Sequence, residues 1–414
     1  MKVQNTRPKK YFGKYREPLA AFPNLLETQV SSFKWFLEVG LKEVFQEFSP
    51  INDYSTKKFT LKWDDFTIGE VKTTEEYAKE NKLTYEVPLK ARVSLLNRLN
   101  GQTKEQEIFL TDIPMMTPHG TFIINGVERV LVSQLARSFG VFFTDREAKG
   151  KKFFGAKIIP GRGVWIEIDT EADGVIYVRI DKKRKFPMVS LFRVFGVTDE
   201  KLIEMCQTDE EKEAMALQIA KDPAKSLTES YLEIYKRLRD GDLATPDNAK
   251  EFIDNLFSSE RYDLSTVGRY TFNKRFDKNL TTKDLEKRTI DGEDLYVIWS
   301  HVIKLTNTPQ AKGDDIDHLG SRRVRYVGEM LQAKVRVGMT QIKRNIQDRM
   351  STIDSAQALP IQIINQRPLQ ARIKEFFSTN QLSQFMNQEN VLSEIEHSRI
   401  LSALGSGGLT RERA

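Results

Sequence analysis

Arginines in one short segment are the side chains best suited to bind a polyanion. Arg322, Arg323 and Arg325 lie in the string DDIDHLGSRRVRYVGEM, and at least two of their guanidinium groups are expected to point the same way. A guanidinium group is a planar fork of donors that matches a phosphate or the edge of a base. Because Asp315 and Asp317 lie in the same string, the alternative is that the arginines only form ion pairs.

A predicted hairpin offers a second surface of this kind. Alternating aliphatic residues on both sides of Asp173 and Gly174 predict two paired strands. If the aliphatic side chains face the core, Trp165 and Tyr177 share the polar face with Arg179. An aromatic and cationic face is a platform on which a nucleotide base can stack. The alternative is that Trp165 only covers an adjoining helix.

The last segment of the chain, Ser378 to Ala414, has an unusual composition. It reads STNQLSQFMNQENVLSEIEHSRILSALGSGGLTRERA, in which amides, serines, glycines and one histidine interrupt short apolar runs. No simple periodicity explains this string, and its polar residues suit a surface near a ligand better than a core.

No arrangement of residues predicts catalysis or a metal site. Asp240 and Asp242 flank a glycine after a basic helix end, which predicts an ordinary loop rather than a Mg²⁺ site. The four histidines lie far apart without cysteines at ligand spacing. Phosphate-binding and nucleophile-elbow glycine motifs are also missing from the sequence. A chain with a polyanion-binding surface and no catalytic group is expected to be a binding part of something larger.

Composition bounds the class of protein. The chain has 414 residues, 39% of them hydrophobic and 29% charged, which favours two or three globular domains. The formal net charge is +6, and the stretch from Lys149 to Lys185 holds ten Lys or Arg against five Asp or Glu. This local excess suits a polyanion partner, although a solvated charged face is the alternative. Cys206 is the one cysteine, so no internal disulfide can form and a reducing compartment is expected.

The remaining patterns predict the elements that position these residues. A helix is predicted from Pro23 with an apolar stripe through Phe48, followed by hairpins at Asn100-Gly101 and Asn125-Gly126. Helices are expected to dominate from about 190 to 305, with a capping box at Ser226 and Glu229. A further helix is expected over 318–350 with interruptions at Gly328 and Gly338, and another at Pro368. No apolar run approaches the length of a membrane span, and the N-terminal residues lack the apolar stretch of a signal peptide.

Several strings together resemble one family in the same order along the chain. They are PNLLETQVSSFKWFL, GTFIINGVERVLVSQLARS, VRIDKKRKFP, ERYDLSTVGRYTFN, DDIDHLGSRRVR and the terminal string. The resemblance is to the N-terminal part of the bacterial RNA polymerase β subunit. It implies a mixed, multidomain α+β fold with a basic tail at 1–18, a discontinuous protrusion at 19–130 and 325–384, an inserted lobe at 131–324, and the truncated start of the fork and rifamycin region at 385–414.

The resemblance implies that nine residues contact non-template or downstream DNA. They are Arg137, Trp165, Asp181, Lys182, Lys183, Ile316, Asp317, Arg322 and Arg325. In this interpretation Asp317 accepts hydrogen bonds from a guanine edge, with Arg137 and Arg322 on either side.

The resemblance also implies a rifamycin pocket beside the path of the nascent RNA. Its residues are Arg129, Val132, Gln134, Gln384, Phe385, Asn387, His397, Ser402, Leu404 and Arg411. Asn387 stands where the family usually has aspartate, Ile400 where it has arginine, and Ser398 where it has lysine. Losing these charges removes charge-assisted hydrogen bonds, so weakened rifamycin binding is expected.

The function implied is that of one wall of the DNA cleft and of the RNA–DNA hybrid channel in a nucleotidyltransferase that makes RNA from NTPs. The chain itself would bind no cofactor, since the catalytic Mg²⁺ belongs to β′. The implied partners are the α, β′ and ω subunits, the rest of β, a sigma factor, DNA and RNA, in the cytoplasm with the nucleoid and not at a membrane. The alternative is a non-catalytic, lobe-like module that binds a transcription regulator.

Overall fold

The structure is a computed structural model of the chain. It describes residues 23–148, 150–239, 241, 244–308, 310–353, 358–405 and 408. The predicted basic tail at 1–18, Arg411, Asp240 and Asp242 therefore lie outside the described residues. Among the helices in the described part of the chain, none is long and apolar enough to cross a membrane.

Helices and strands are both abundant, and the predicted α+β class is confirmed. The α-helices, in chain order, are α1 (Glu27–Trp35), α2 (Leu41–Glu47), α3 (Glu75–Glu80), α4 (Met188–Val194), α5 (Asp199–Met205), α6 (Asp209–Lys221), α7 (Leu227–Leu238), α8 (Pro246–Leu256), α9 (Ser265–Arg275), α10 (Thr282–Glu286), α11 (Gly292–Asn307), α12 (Val327–Thr352), α13 (Pro360–Ile363), α14 (Arg367–Ser378) and α15 (Val391–Arg399). The strands are β1 (Ile51–Asn52), β2 (Phe59–Ile68), β3 (Glu86–Asn97), β4 (Thr103–Pro114), β5 (Phe122–Ile124), β6 (Val127–Leu131), β7 (Ser133–Arg137), β8 (Gly140–Ala148), β9 (Lys151–Ile159), β10 (Ile166–Thr170), β11 (Ile176–Ile180), β12 (Phe186–Pro187), β13 (Arg322–Arg325), β14 (Ser383–Phe385) and β15 (Leu401–Ser402).

The chain forms two compact units. Unit 1 comprises Met1–Leu135 together with Val324–Ala414, and unit 2 comprises Ala136–Arg323. Unit 2 lies within the range 131–324 for which the sequence predicts a lobe. Residues 385–405, for which the sequence predicts a separate region, belong to unit 1. The names protrusion, lobe and fork stay predictions.

Unit 1 is built on an antiparallel sheet with the order β1–β2–β3–β4. Val87, Leu89, Ala91, Val93 and Leu95 alternate along β3 and are all buried, as expected for a sheet with one face on a core. The β3–β4 hairpin confirms the turn predicted from the Asn-Gly pair at 100–101, and the β5–β6 hairpin confirms the pair at 125–126.

Two helices of unit 1 differ from their predictions. The first helix begins at Glu27 rather than Pro23, and a π-helical turn at Phe36–Gly40 separates α1 from α2. Helix α12 begins at Val327 rather than at 318, since Arg322–Arg325 form strand β13, and it runs through Gly328 and Gly338 without a break. These two glycines serve close packing instead, since a Cβ atom would lie 2.1 Å from the carbonyl oxygen of Ser32 at position 328 and 3.0 Å from the Cα atom of Leu369 at position 338.

Unit 2 packs helices on an antiparallel sheet with the order β12–β11–β10–β9–β8. Helices α4 to α11 fill the region in which the sequence predicted helices, and both bonds of the predicted capping box at the start of α7 are present. The aliphatic residues of β10 and β11 face the core as predicted, and Trp299 of α11 is completely buried among them. The sheet and its helices hold the hairpin that carries Tyr177 and Arg179.

Two small three-stranded sheets complete the fold. One has the order β14–β6–β5 and the other the order β13–β7–β15. Strand β14 pairs antiparallel with β6, and β15 pairs parallel with β7. These pairings bring residues near 130 beside residues near 384 and 402.

Candidate nucleic-acid interface

The β10–β11 hairpin confirms the predicted alternation but changes the interpretation of its polar face. Arg179 lies 3.0 Å from a carboxylate oxygen of Asp169, while Lys185 lies 4.7 Å from the centre of the Tyr177 ring and pairs with Glu171 at 2.8 Å. Acidic side chains on the same face thus compensate part of the basic excess. Arg179 and Tyr177 therefore each have a charged neighbour on this face, and the platform on which a base would stack stays a prediction.

Trp165 lies at the end of this hairpin, immediately before β10. Its side chain is half-buried, and its carbonyl oxygen accepts a hydrogen bond of 3.0 Å from the Asp181 N–H. Asp181 and Lys182 have φ values of 52° and 60°, which produce a tight turn with exposed side chains at 181–185. A half-buried indole beside an exposed basic turn is compatible with the predicted stacking role, which stays a prediction.

Asp317 and Arg322 form the clearest charged contact among the predicted DNA-binding residues. Arg322 Nη2 donates to Asp317 Oδ1 at 2.7 Å, with 65% of the Asp317 side chain and 20% of the Arg322 side chain exposed. This hydrogen bond lowers the pKa of Asp317, and the positive charges of Arg322 and the buried Arg137 lower it further. The half-buried Ile316 adjoins this carboxylate in the chain. We call Arg137, Ile316, Asp317 and Arg322 the Asp317 cluster.

The other charged residues of this segment have different roles. Asp315 Oδ1 accepts the N–H groups of Asp317 and His318 at 3.1 Å, so it shapes the turn rather than pairing with arginine. The Arg323 guanidinium lies 4.3 Å from the centre of the Phe139 ring. The alternative that arginines pair with both aspartates thus holds only for Asp317.

Arg325 belongs to unit 1, and its contact with DNA stays a prediction. Its Nη1 donates to Gln134 Oε1 at 3.2 Å, and its Nε lies 3.5 Å from a carboxylate oxygen of Glu329. Gln134 is buried, and its Nε2 donates to the Leu404 carbonyl oxygen at 2.9 Å. Arg325 therefore lies beside Gln134 of the predicted rifamycin pocket, because β13 lies next to β7 in their sheet.

Two strand pairings bring together the residues of the predicted rifamycin pocket. In the first, Phe385 pairs with Arg129, whose guanidinium lies 4.4 Å from the centre of the Phe385 ring. Arg129 Nη1 also donates to the Ser383 carbonyl oxygen at 3.2 Å, and Phe385 is 64% exposed. A cation over an exposed aromatic ring is an arrangement on which a nucleobase can stack.

A histidine connects the two ends of this segment. His397 Nδ1 accepts the Asn387 N–H at 3.0 Å, and its Nε2 lies 3.1 Å from Gln384 Oε1. The first contact requires an unprotonated Nδ1, so the ring is neutral with its proton on Nε2. Burial also lowers the pKa of His397 and favours the neutral form.

In the second pairing, Ser402 lies opposite Gln134, and the buried Val132 donates its N–H to the Leu382 carbonyl oxygen at 2.9 Å. The structure thus brings together every predicted residue of this site that it describes. We call this set the C-terminal cluster, and its members are Arg129, Val132, Gln134, Gln384, Phe385, Asn387, His397, Ser402 and Leu404.

One residue that supports the C-terminal cluster was not predicted from the sequence. Gln29 of α1 is buried, and its Nε2 donates to Ser133 Oγ at 2.7 Å and to the Ser398 carbonyl oxygen at 3.2 Å. It therefore fixes β7 against the end of α15. A glutamine beside an apolar helical stripe carries no sequence pattern that identifies such a role.

The described residues contain no group of three His, Cys, Asp or Glu side chains that could hold a metal ion. Cys206 is buried, and burial raises the pKa of its thiol.

Similarity to known proteins defines the class to which this chain belongs. Residues 137–325 match the family model described as RNA polymerase Rpb2, domain 2, a range that almost coincides with unit 2. The chain is also 44% identical over 406 residues to the DNA-directed RNA polymerase subunit beta of Syntrophomonas wolfei subsp. wolfei, a match that covers 97% of this chain. The chain therefore belongs to the RNA polymerase β-subunit family. It spans 36% of the length of that relative.

Proposed function

We propose that the chain takes part in DNA-directed RNA synthesis as a portion of the polymerase β subunit. In this role, unit 2 binds the unpaired non-template strand and downstream DNA, and the C-terminal cluster lines the channel of the RNA–DNA hybrid. The similarity to the DNA-directed RNA polymerase subunit beta of Syntrophomonas wolfei supports the first statement. The geometry of the two clusters supports the second.

The observation that carries the proposal is the exposed carboxylate of Asp317 within hydrogen-bond distance of Arg322. A carboxylate can accept the N–H donors on the Watson–Crick edge of an unpaired guanine, while arginine can bind a neighbouring phosphate. Arg137 adds positive charge at the same carboxylate. The cluster therefore combines one group that reads a base with two groups that attract the strand.

The chain supplies binding surfaces in this proposal, and the chemistry takes place elsewhere in the assembly. RNA synthesis is an in-line attack of the RNA 3′ hydroxyl on an NTP, helped by two Mg²⁺ ions held by β′. The partners are the α, β′ and ω subunits, the remaining β sequence and a sigma factor, in the cytoplasm with the nucleoid. The Arg129–Phe385 pair of the C-terminal cluster offers a stacking surface for the hybrid.

A binding experiment tests the role of the Asp317 cluster. Fluorescence anisotropy with a labelled single-stranded oligodeoxynucleotide is measured for the chain and for Arg322→Ala. The substitution is expected to weaken binding about tenfold and to reduce the slope of log K against log salt by about 1. Arg237→Ala is a matched control, because Arg237 of unit 2 pairs with Glu233 on the surface of α7. Equal effects of the two substitutions would contradict the proposal.

Reconstitution tests the wider role. The chain is expected to co-purify with β′, α and the remaining β sequence, and the assembly is expected to synthesise RNA from a DNA template. An assembly that forms but shows no transcription, or a chain that binds none of these subunits, would contradict the proposal and favour the alternative of a regulator-binding module.

A further inference from the structure

Asp314 attaches the segment that leads to Asp317 to strand β8. The Asp314 N–H donates to the Phe143 carbonyl oxygen at 2.7 Å, and the Phe143 N–H donates to Asp314 Oδ2 at 2.7 Å. These reciprocal bonds use both the backbone and the side chain of Asp314. An apolar side chain at this position would leave the Phe143 N–H without its acceptor.

Helix α9 holds the other oxygen of the same carboxylate. Arg275 Nη2 donates to Asp314 Oδ1 at 2.8 Å, and the Arg275 guanidinium lies 4.7 Å from the centre of the Phe143 ring. About a third of the Arg275 side chain and a quarter of the Asp314 side chain remain exposed (32% and 25%). The carboxylate is thus fixed from two directions, by a strand and by a helix.

The preceding glycine permits this close approach. A Cβ atom at Gly313 would lie 2.7 Å from the backbone nitrogen of Asp145 and 3.1 Å from the carbonyl carbon of Thr144. Backbone atoms cannot move aside as a flexible side chain can. Any larger residue at position 313 would therefore push the segment away from β8.

The path from Asp314 to Asp317 is short and held in shape. Asp315 Oδ1 accepts the N–H groups of Asp317 and His318, and the His318 ring nitrogen Nδ1 accepts the Gly320 N–H at 3.0 Å. A displacement of Asp314 would therefore move the Asp317 carboxylate with it. The bonds within the turn keep its shape, while Asp314 at its start and the Asp317–Arg322 hydrogen bond at its end join it to the rest of unit 2.

We propose that Asp314, together with Arg275 and Gly313, is the positioning anchor that sets where Asp317 reads a base. The anchor acts on base discrimination and not on overall attraction for the strand, because Asp314 is an acid that contacts protein groups. This inference rests on the proposed function, in which Asp317 accepts hydrogen bonds from guanine.

The test compares two labelled oligodeoxynucleotides, an all-thymine strand and the same strand with one guanine, against the full chain. The unchanged chain is expected to prefer the guanine strand about tenfold, the discrimination that one good base contact gives. Asp314→Ala is expected to reduce the preference to less than about twofold while affinity for the all-thymine strand stays within about twofold. Asp314→Asn keeps an oxygen acceptor for the Phe143 N–H and is expected to restore part of the preference.

Two further variants separate positioning from loss of folding. Gly313→Ala displaces the segment without changing any charge and is expected to lose the guanine preference as Asp314→Ala does. Asp209→Asn removes one carboxylate of unit 2 whose side chain is 98% exposed, and it is expected to keep the preference. Circular dichroism spectra matching those of the unchanged chain establish that each variant is folded.

The possible results distinguish the inference from the proposed function. A guanine preference that survives in both Asp314→Ala and Gly313→Ala overturns the anchor and leaves the reading role of Asp317 intact. An unchanged chain without any guanine preference overturns both. Loss of the preference in Asp314→Ala and Gly313→Ala with retained folding and retained all-thymine binding supports the anchor.

Discussion

Replacing Asp294 by asparagine is expected to destabilise unit 2 strongly, because this carboxylate is completely buried beside an equally buried arginine. Arg269 Nη1 donates to Asp294 Oδ2 at 2.9 Å, and the two side chains are 2% and 1% exposed. Lys278 and Lys287 also contact Asp294, at 3.0 and 3.3 Å, but they are 34% and 41% exposed and can turn towards water. The cost of the substitution therefore falls mainly on Arg269.

The magnitude follows from what Arg269 keeps. Its Nε and Nη2 still donate to the carbonyl oxygens of Lys287 and Thr289, so its hydrogen bonds are only partly lost. Removing one partner of a buried ion pair costs about 3–5 kcal/mol, and the retained bonds place this case at the lower end, about 3 kcal/mol. In a unit of this size that corresponds to a fall in Tm of about 6–12 °C.

Differential scanning calorimetry of the full chain measures this change as a shift in Tm. Asp209→Asn serves as the control, since its partner Lys212 lies 3.7 Å away on the surface of α6 and the pair contributes little. A Tm for Asp294→Asn that matches the control would refute the reasoning about the buried pair. Because α9 carries both Arg269 and Arg275, the same variant is also expected to weaken the guanine preference.

Three further outcomes are expected. Gly126→Ala should destabilise unit 1 by about 2 kcal/mol or more in urea unfolding, since Gly126 has a φ of 79° and an added Cβ would lie 2.7 Å from Lys82 Cα. Gly101→Ala is the control and should cost about 1 kcal/mol, because an added Cβ there would have no described atom within 4 Å. Protection of the Asn387 N–H from hydrogen exchange, corrected for intrinsic rate, should decrease when the pH is lowered below about 6.5. Burial lowers the pKa of His397 in the folded state, so its stabilising contribution is complete above the pKa of the unfolded state. That contribution is lost as the pH falls towards the pKa of the folded state. A polymerase assembled with this chain should bind rifamycin weakly, and Asn387→Asp should strengthen binding, since a charge-assisted hydrogen bond contributes about 1.5–3 kcal/mol; nanomolar binding by the unchanged assembly would contradict this.

Local patterns predicted much of the fold because local chemistry decides it. The Asn-Gly pair at 125–126 supplies the positive φ values that a tight hairpin needs, and both residues adopt them. The capping box at Ser226 forms for the same local reason. Gly328 shows the limit, since its sequence pattern suggested a helix break and only the packing against Ser32 explains it.

The residues of the candidate sites could be predicted from the sequence, but the contacts between their side chains could not. The resemblance indicated both clusters, but Arg325 donates to Gln134, which lies 191 positions earlier in the chain. Arg179 likewise pairs with Asp169 across a hairpin, a contact that the alternation along the strands did not predict. Such choices depend on which strands become neighbours, and no local spacing encodes that information.

The packing of α1 against α12 has a consequence for how the protein is made. Ser32 Oγ accepts the Gly328 N–H at 3.0 Å, and Gln332 Nε2 donates to the Gly40 carbonyl oxygen at 3.1 Å. The partner of the first helix therefore leaves the ribosome only after all of unit 2 has been translated. At about 5–20 residues per second, the roughly 290 residues between α1 and α12 take about 15–60 s, during which the apolar side of the nascent β2–β4 sheet lacks the helix that shares its core.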